Sequence, residues 1–232
     1  MSIARHVPNA LTCCNLLAGC LGIVGVIEQW PFPSAYFVWL AVFFDFLDGF
    51  AARALKTSSA IGKELDSLAD MVSFGVLPAL TMYYMMKNAT DISYLPLLAF
   101  SLAVFSAVRL AKFNIDERQI FGFIGLPTPA NALLVTGLPL MQVGYFGIEW
   151  SIASLVIITI GMSWLMVSPI PLIALKFKHL RWKDNQIRFT LLALSVLLLA
   201  ILGSPGIVPV IIMYVLLSLV GLWWGADAVT SK

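Results

Sequence analysis

Asp45-Phe-Leu-Asp48-Gly49-Phe-Ala-Ala52-Arg53 and Gly62-Lys-Glu-Leu-Asp66-Ser-Leu-Ala-Asp70 are the two halves of the stretch that decides the fold of this chain. Both are written at helical spacing. Asp45 and Asp48 are three apart and Asp48 and Ala52 four apart, so they share one helix face; Gly62, Asp66 and Asp70 are successively four apart and form a second stripe. Thr57-Ser58-Ser59, between the halves, reads as a turn, which makes the whole an antiparallel helical hairpin. At a rise of about 1.5 Å per residue, Asp45 comes level with Asp70 roughly 15 Å from the turn, and Asp48 with Asp66 roughly 10 Å from it. Four carboxylates therefore converge in one small volume.

That volume lies in lipid. The chain has 232 residues, 60% hydrophobic and 11% charged, with a mean hydropathy of +0.94, whereas soluble domains carry roughly a quarter charged residues. No polar stretch is long enough to fold in water, so the expected architecture is a single all-α polytopic membrane domain covering 1–232. Apolar runs near 10–28, 34–54, 64–86, 93–113, 128–147, 151–172, 188–203 and 207–225 predict about eight transmembrane helices, the seventh being the shortest. With the N-terminus inside, every Lys and Arg except Lys87 falls on the cytoplasmic side, which predicts cytoplasmic termini in a cell membrane. The first run reads as a retained helix, because it is long for a signal peptide and Gly25-Val26-Ile27-Glu28 is a poor cleavage site. Cys13, Cys14 and Cys20 follow no metal-binding pattern and read as small buried apolar residues. The basic stretch from Lys176 to Lys183 serves topology and anionic headgroups, or else handles substrate. Nothing calls for a nucleic-acid partner.

A charge within hydrocarbon costs roughly 2.5–3.5 kcal/mol on insertion scales, so intramembrane acids mark function. Four anions cannot stay ionised together at low dielectric without counter-charge, and Arg53 with Arg109 is too few. Divalent cations are the natural solution. Oxygen ligands without histidine or cysteine select a hard ion, magnesium or manganese, and two such ions would clamp a phosphoryl group for in-line displacement. Gly49 and Ala52 keep their helix face low enough for a ligand to approach the backbone, or simply pack against a neighbouring helix. Arg53 can pair with phosphate.

The run Asp45-x2-Asp48-Gly49-x2-Ala52-Arg53-x8-Gly62-x3-Asp66-x3-Asp70 resembles, at every defined position, the signature of the CDP-alcohol phosphatidyltransferase family. The opening Val7-Pro8-Asn9-Ala-Leu-Thr12 is similar to that family's entry to its first helix. Asp66-Ser-Leu-Ala-Asp-Met-Val-Ser-Phe-Gly-Val-Leu-Pro78, Arg109-Leu-Ala-Lys-Phe-Asn114 and Gly125-Leu-Pro-Thr-Pro-Ala130 resemble its phosphatidylserine synthase branch. Lys112 departs from the arginine expected there. The likeness covers roughly 5–135. It implies a six-helix membrane core, a homodimer, and a two-metal site open to the cytoplasm. Asp45, Asp48 and Asp66 then look like metal ligands, Asp70 like a ligand that doubles as catalytic base, and Gly49, Ala52, Arg53 and Gly62 like the CDP-binding face.

The activity implied is transfer of a phosphatidyl group from CDP-diacylglycerol to L-serine, among membrane lipids, with release of CMP. Arg109 either snorkels to the interface or binds the lipid phosphate or the acceptor carboxylate. Lys112 and Asn114 allow the same two readings nearer the headgroups, and Asn9 and Thr12 cap the first helix or face the nucleotide. A polyanionic acceptor, glycerol 3-phosphate or an inositol phosphate, is the nearest alternative, but it would want more basic residues. An ion-coupled transporter would spread its acids across the membrane.

Overall fold

The computed structural model describes residues 6–57, 59–115, 123–143, 146–173 and 185–223, which form eight helices. These are α1 (Val7–Ile27), α2 (Ser34–Leu55), α3 (Ala60–Ala89), α4 (Leu95–Ile115), α5 (Thr128–Gly137), α6 (Ile152–Val167), α7 (Gln186–Leu202) and α8 (Ile207–Trp223). The helices α1 to α4, and α8 counted from Ser204, are long and apolar enough to cross a membrane; α6 and α7 are apolar but shorter. The chain is a multi-pass membrane protein. Arg5, Arg118, Lys232 and the basic stretch 176–183, on which much of the expected topology rests, lie outside the described residues.

Two helices stop short of the predicted spans, each at a proline. The run 128–147 is helical only to Gly137 and then tightens into a 3₁₀ turn, Leu138–Met141. Pro139 has no N–H to offer and its ring crowds the carbonyl four residues back. The run 151–172 ends at Val167 because Pro169 drives Ser168 into the extended region, at ψ 150. The chain beyond it is not helical: β2 (Pro171–Leu172) pairs antiparallel with β1 (Phe123–Ile124). This small ladder qualifies the all-α expectation. It exists because these segments run through the interior, where the Gly125 and Leu126 N–H groups find the Ile170 and Leu165 carbonyls at 2.8 and 3.0 Å.

The hairpin closes as its turn chemistry predicts. Lys56 turns left-handed (φ 51, ψ 43), with its N–H on the Ala52 and Arg53 carbonyls, and the Ser59 hydroxyl caps α3 by accepting the Gly62 N–H at 3.0 Å. That cap starts α3 at Ala60, four residues before the apolar run begins. The helix α3 is the most enclosed of the long helices. Its regular winding is interrupted by a π-helical segment, Met71–Val76, that begins at the residue after Asp70.

The helix α1 lies against both arms of the hairpin through Ala18, Gly19, Gly22 and Gly25. A Cβ at Gly19 would sit 2.8 Å from the Ser73 Cα, so only glycine admits this approach. Gly19→Val should therefore force the helices apart and cost about 1–3 kcal/mol, read as a lowered thermal unfolding temperature. The cysteines are not part of the packing: Cys13 and Cys20 are exposed and only Cys14 is half-buried, which corrects the expectation of burial. A small apolar cluster of Ala18, Val38, Ala41, Phe74, Leu77 and Ala132 ties α1, α2, α3 and α5 together. The main core, around Met82, Met86, Leu138 and Leu155, gathers α3 to α8 further along α3.

Candidate active site

The hairpin brings its acids together. Carboxylate oxygens of Asp45, Asp48 and Asp66 all lie within 4.8 Å of one another. Asp70 stands outside that group of three. It is buried, and of the neighbouring acids Asp45 acts on it most strongly. Asp45, Asp48 and Asp66 form the close group, and Asp70 adjoins it on the side of Asp45.

The helix α1 organises both parts. The Thr12 hydroxyl donates to Asp48 Oδ2 at 2.6 Å, and the Asn15 side-chain amide donates to Asp70 Oδ1 at 3.0 Å. Asn15 is in turn held by its backbone, whose carbonyl accepts the Ser73 hydroxyl at 2.9 Å. Ser73 belongs to the π-helical segment, and Gly19 is what lets α1 come near enough to receive it. Asn15 and Ser73 are the site residues that sequence reasoning missed. The signal was present, since Asn9, Thr12 and Asn15 follow at intervals of three in an otherwise apolar helix.

Other expected residues line the same region. The Asn9 Oδ1 lies 3.0 Å from where a Gly62 side chain would begin, so the glycine makes room for the asparagine. Thr12 is buried and Asn9 half-buried. Arg53 is exposed, and its guanidinium folds back over Gly49, Nη1 being 3.5 Å from the missing Cβ, with half-buried Ala52 beside it. Arg109 is buried, its Nε has no hydrogen-bond partner, and its electrostatic neighbours are Tyr214 and Asp70. Its guanidinium also lies 5.8 Å from the Phe113 ring. An arginine so enclosed is not snorkelling.

Two expected residues are not drawn in. Lys112 is exposed. Asn114 braces α4 against α3, its amide donating to the Ser67 hydroxyl at 2.8 Å and its carbonyl accepting from Lys63 Nζ at 2.7 Å.

The donor set suits a hard divalent cation. Among the described residues the side-chain hydrogen bonds to the four carboxylates come from neutral Thr12 and Asn15, while the buried Asp66 Oδ1 has no partner. Clustered carboxylate oxygens with an orphaned atom among them are what such an ion satisfies.

Residues 5–165 match the family model described as CDP-alcohol phosphatidyltransferase. The chain is similar to proteins named CDP-diacylglycerol–serine O-phosphatidyltransferase. It is 33% identical to that of Bacillus subtilis over 76% of this chain and 92% of the relative, and 36% identical to that of Methanocaldococcus jannaschii over 86% and 85%. The Mycobacterium leprae protein is 35% identical over 71% of this chain, which spans 57% of that relative's length.

Proposed function

The chain belongs to the CDP-alcohol phosphatidyltransferase family, and we propose that it transfers the phosphatidyl group of CDP-diacylglycerol to L-serine, releasing CMP. The observation that carries this reading is the close group of Asp45, Asp48 and Asp66 oxygens with Asp70 fixed beside it by Asn15. Metal dependence is general in the family. Here Asp45, Asp48 and Asp66, with Asp70 at their edge, would hold magnesium or manganese, and we assign two ions. When bound, the metal polarises phosphoryl oxygens and offsets the charge that develops on them.

The chain's own residues do the rest. Arg53 binds the diphosphate, and the low face at Gly49 and Ala52, with Gly62 and Asn9 opposite, receives the cytidine. Thr12 holds Asp48 in place. One oxygen of Asp70 is engaged by Asn15, which leaves Oδ2 to accept the serine hydroxyl proton as the serine oxygen attacks the lipid-bearing phosphorus and the bond to CMP breaks. Arg109 receives the acceptor carboxylate or the lipid phosphate. A single buried arginine suits a small zwitterion better than glycerol 3-phosphate or an inositol phosphate, and Lys112 and Asn114 are secondary to it. The arrangement we favour has eight transmembrane helices around a six-helix core, as a homodimer in the cell membrane, with both termini and the site on the cytoplasmic side. The distribution of basic residues supports that orientation.

Asn15 acts through Asp70, as a positioning residue. Asn15→Leu should lower kcat about 10–100-fold with little change in the KM for CDP-diacylglycerol, checked by steady-state kinetics. The activity itself is tested with purified protein, CDP-diacylglycerol and magnesium or manganese. CMP should appear with serine and not with glycerol 3-phosphate or an inositol phosphate; the reverse pattern would overturn the acceptor assignment.

A further inference from the structure

The first turn of α5 holds three buried polar side-chain atoms that nothing satisfies. Among the described residues the Thr128 hydroxyl and both Oδ1 and Nδ2 of Asn131 have no hydrogen-bond partner. Thr128 is 1% exposed and Asn131 is fully enclosed. Being three apart, the two share one face of the helix, while Ala130 and Leu133 on the opposite face turn to Leu191 of α7 and Ile211 of α8. The turn also has no side-chain cap. Its leading N–H groups therefore add unpaired donors and a partial positive charge beside the same two side chains. Buried polar groups are nearly always paired, so three such atoms in one place mark a site that a small polar ligand completes.

The contacts around this turn place it next to the reacting residues. The Leu126 N–H donates to the Leu165 carbonyl at 3.0 Å, which seats the start of α5 on the end of α6. Met166, the next residue, accepts the Ser106 hydroxyl of α4 on its sulfur at 3.4 Å. The Ser106 Cβ in turn lies 3.2 Å from where a side chain on Gly75 would begin. Gly75 belongs to the π-helical segment that follows Asp70, and α5 packs on that segment as well. Arg109 is three residues beyond Ser106, about 4.5 Å along α4 and on the same buried face. Because α3 and α4 run antiparallel, stepping back from Gly75 to Asp70 and onward from Ser106 to Arg109 leads to the same side. Thr128, Asn131, Arg109 and Asp70 therefore border one region enclosed by α3, α4 and α5.

We infer that Thr128, Asn131 and the N-terminus of α5 bind the amino-acid end of the L-serine acceptor and so decide which alcohol this protein uses. The inference rests on the transfer to serine proposed above. The Asn131 amide, the Thr128 hydroxyl and the first-turn N–H groups donate to the carboxylate, whose charge Arg109 balances. The Asn131 Oδ1 accepts from the ammonium. Held by that end, serine directs its hydroxyl toward Asp70. Arg109 by itself attracts any anion, whereas the Asn131 oxygen asks for a cation on the same molecule. Glycerol 3-phosphate and inositol phosphates bring none.

The test separates KM from kcat on the full-length protein with magnesium or manganese. Asn131→Leu should raise the KM for L-serine about ten- to hundredfold, the factor lost with a hydrogen bond to a charged group. The kcat and the KM for CDP-diacylglycerol should stay within a few-fold. Thr128→Val should act in the same direction and Thr128→Ser should restore the KM. The preference for serine over 3-hydroxypropionate, which lacks the ammonium, should fall in Asn131→Leu when read by competition. Without serine, Asn131→Leu should unfold at the temperature of the unsubstituted chain or above it, because a partnerless amide is exchanged for an apolar side chain of similar size. An unchanged KM for serine with a lowered unfolding temperature would mean that Asn131 holds a buried water only, and overturns the inference. Equal rises in the KM for serine and for CDP-diacylglycerol overturn it too. If CMP release instead follows another acceptor whose KM rises in Asn131→Leu, the serine assignment fails and the acceptor site stands.

Discussion

Replacing Asp70 by asparagine should cut CMP release with serine by about three orders of magnitude, within the range attributed to general-base catalysis, and leave the fold in place. The substitution is chosen because its Oδ1 can still accept the Asn15 amide, so the link from α1 to α3 survives. What disappears is the ability to take a proton. Thermal unfolding and retention of CDP-diacylglycerol should stay near those of the unsubstituted protein, while single-turnover CMP release collapses. Asparagine keeps an oxygen at that position but cannot take the proton, so raising magnesium or manganese should not restore the rate. Turnover within a few-fold of normal would remove Asp70 from the role of base, and recovery at high metal would make it a ligand alone.

The second large effect concerns Asp66, the member of the close group whose Oδ1 is buried without a partner. Asp66→Asn keeps the shape and removes the charge that draws a cation. Chelation should abolish turnover of the unsubstituted chain, and magnesium or manganese should restore it. The readout independent of activity is stability. A ligand at a hundred times its Kd adds about 2.7 kcal/mol to the native state, which in a protein of this size raises Tm by about 5–10 °C. Asp66→Asn should lose most of that rise together with at least about a hundredfold in turnover, the effect of removing charge stabilisation from such a site. A full metal-dependent shift in the variant would place the ion elsewhere.

Much of the hairpin was legible because its information is local. Spacings of three and four put Asp45 with Asp48 and Asp66 with Asp70 on single faces, and the left-handed Lys56 and the Ser59 cap close the hairpin. The helices α1 to α4 and α8 follow their apolar runs closely. The truncations of α5 and α6 were also written in the chain, as Pro139 and Pro169, but hydropathy averages over a proline and extended both helices past it. The cysteines of α1 were misplaced for another reason: in lipid an apolar residue gains little by being buried, so apolarity does not say which side of a helix faces the protein.

By itself the sequence determined that this protein lives in a membrane and that four carboxylates gather on a two-helix hairpin, the arrangement from which we propose a hard metal and a phosphoryl group. Each follows from composition or from residues close in the chain, where helix geometry leaves no freedom. Only the tertiary structure decided that Thr12 and Asn15 reach across from α1 to hold Asp48 and Asp70, and that Arg109 is enclosed near Asp70 while Lys112 is left outside. Those outcomes depend on how closely and at what rotation separate helices meet. That is set by contacts such as Gly19 on Ser73, where the absence of one side chain admits a neighbouring backbone. Spacing along a chain specifies a face, and packing specifies what that face meets.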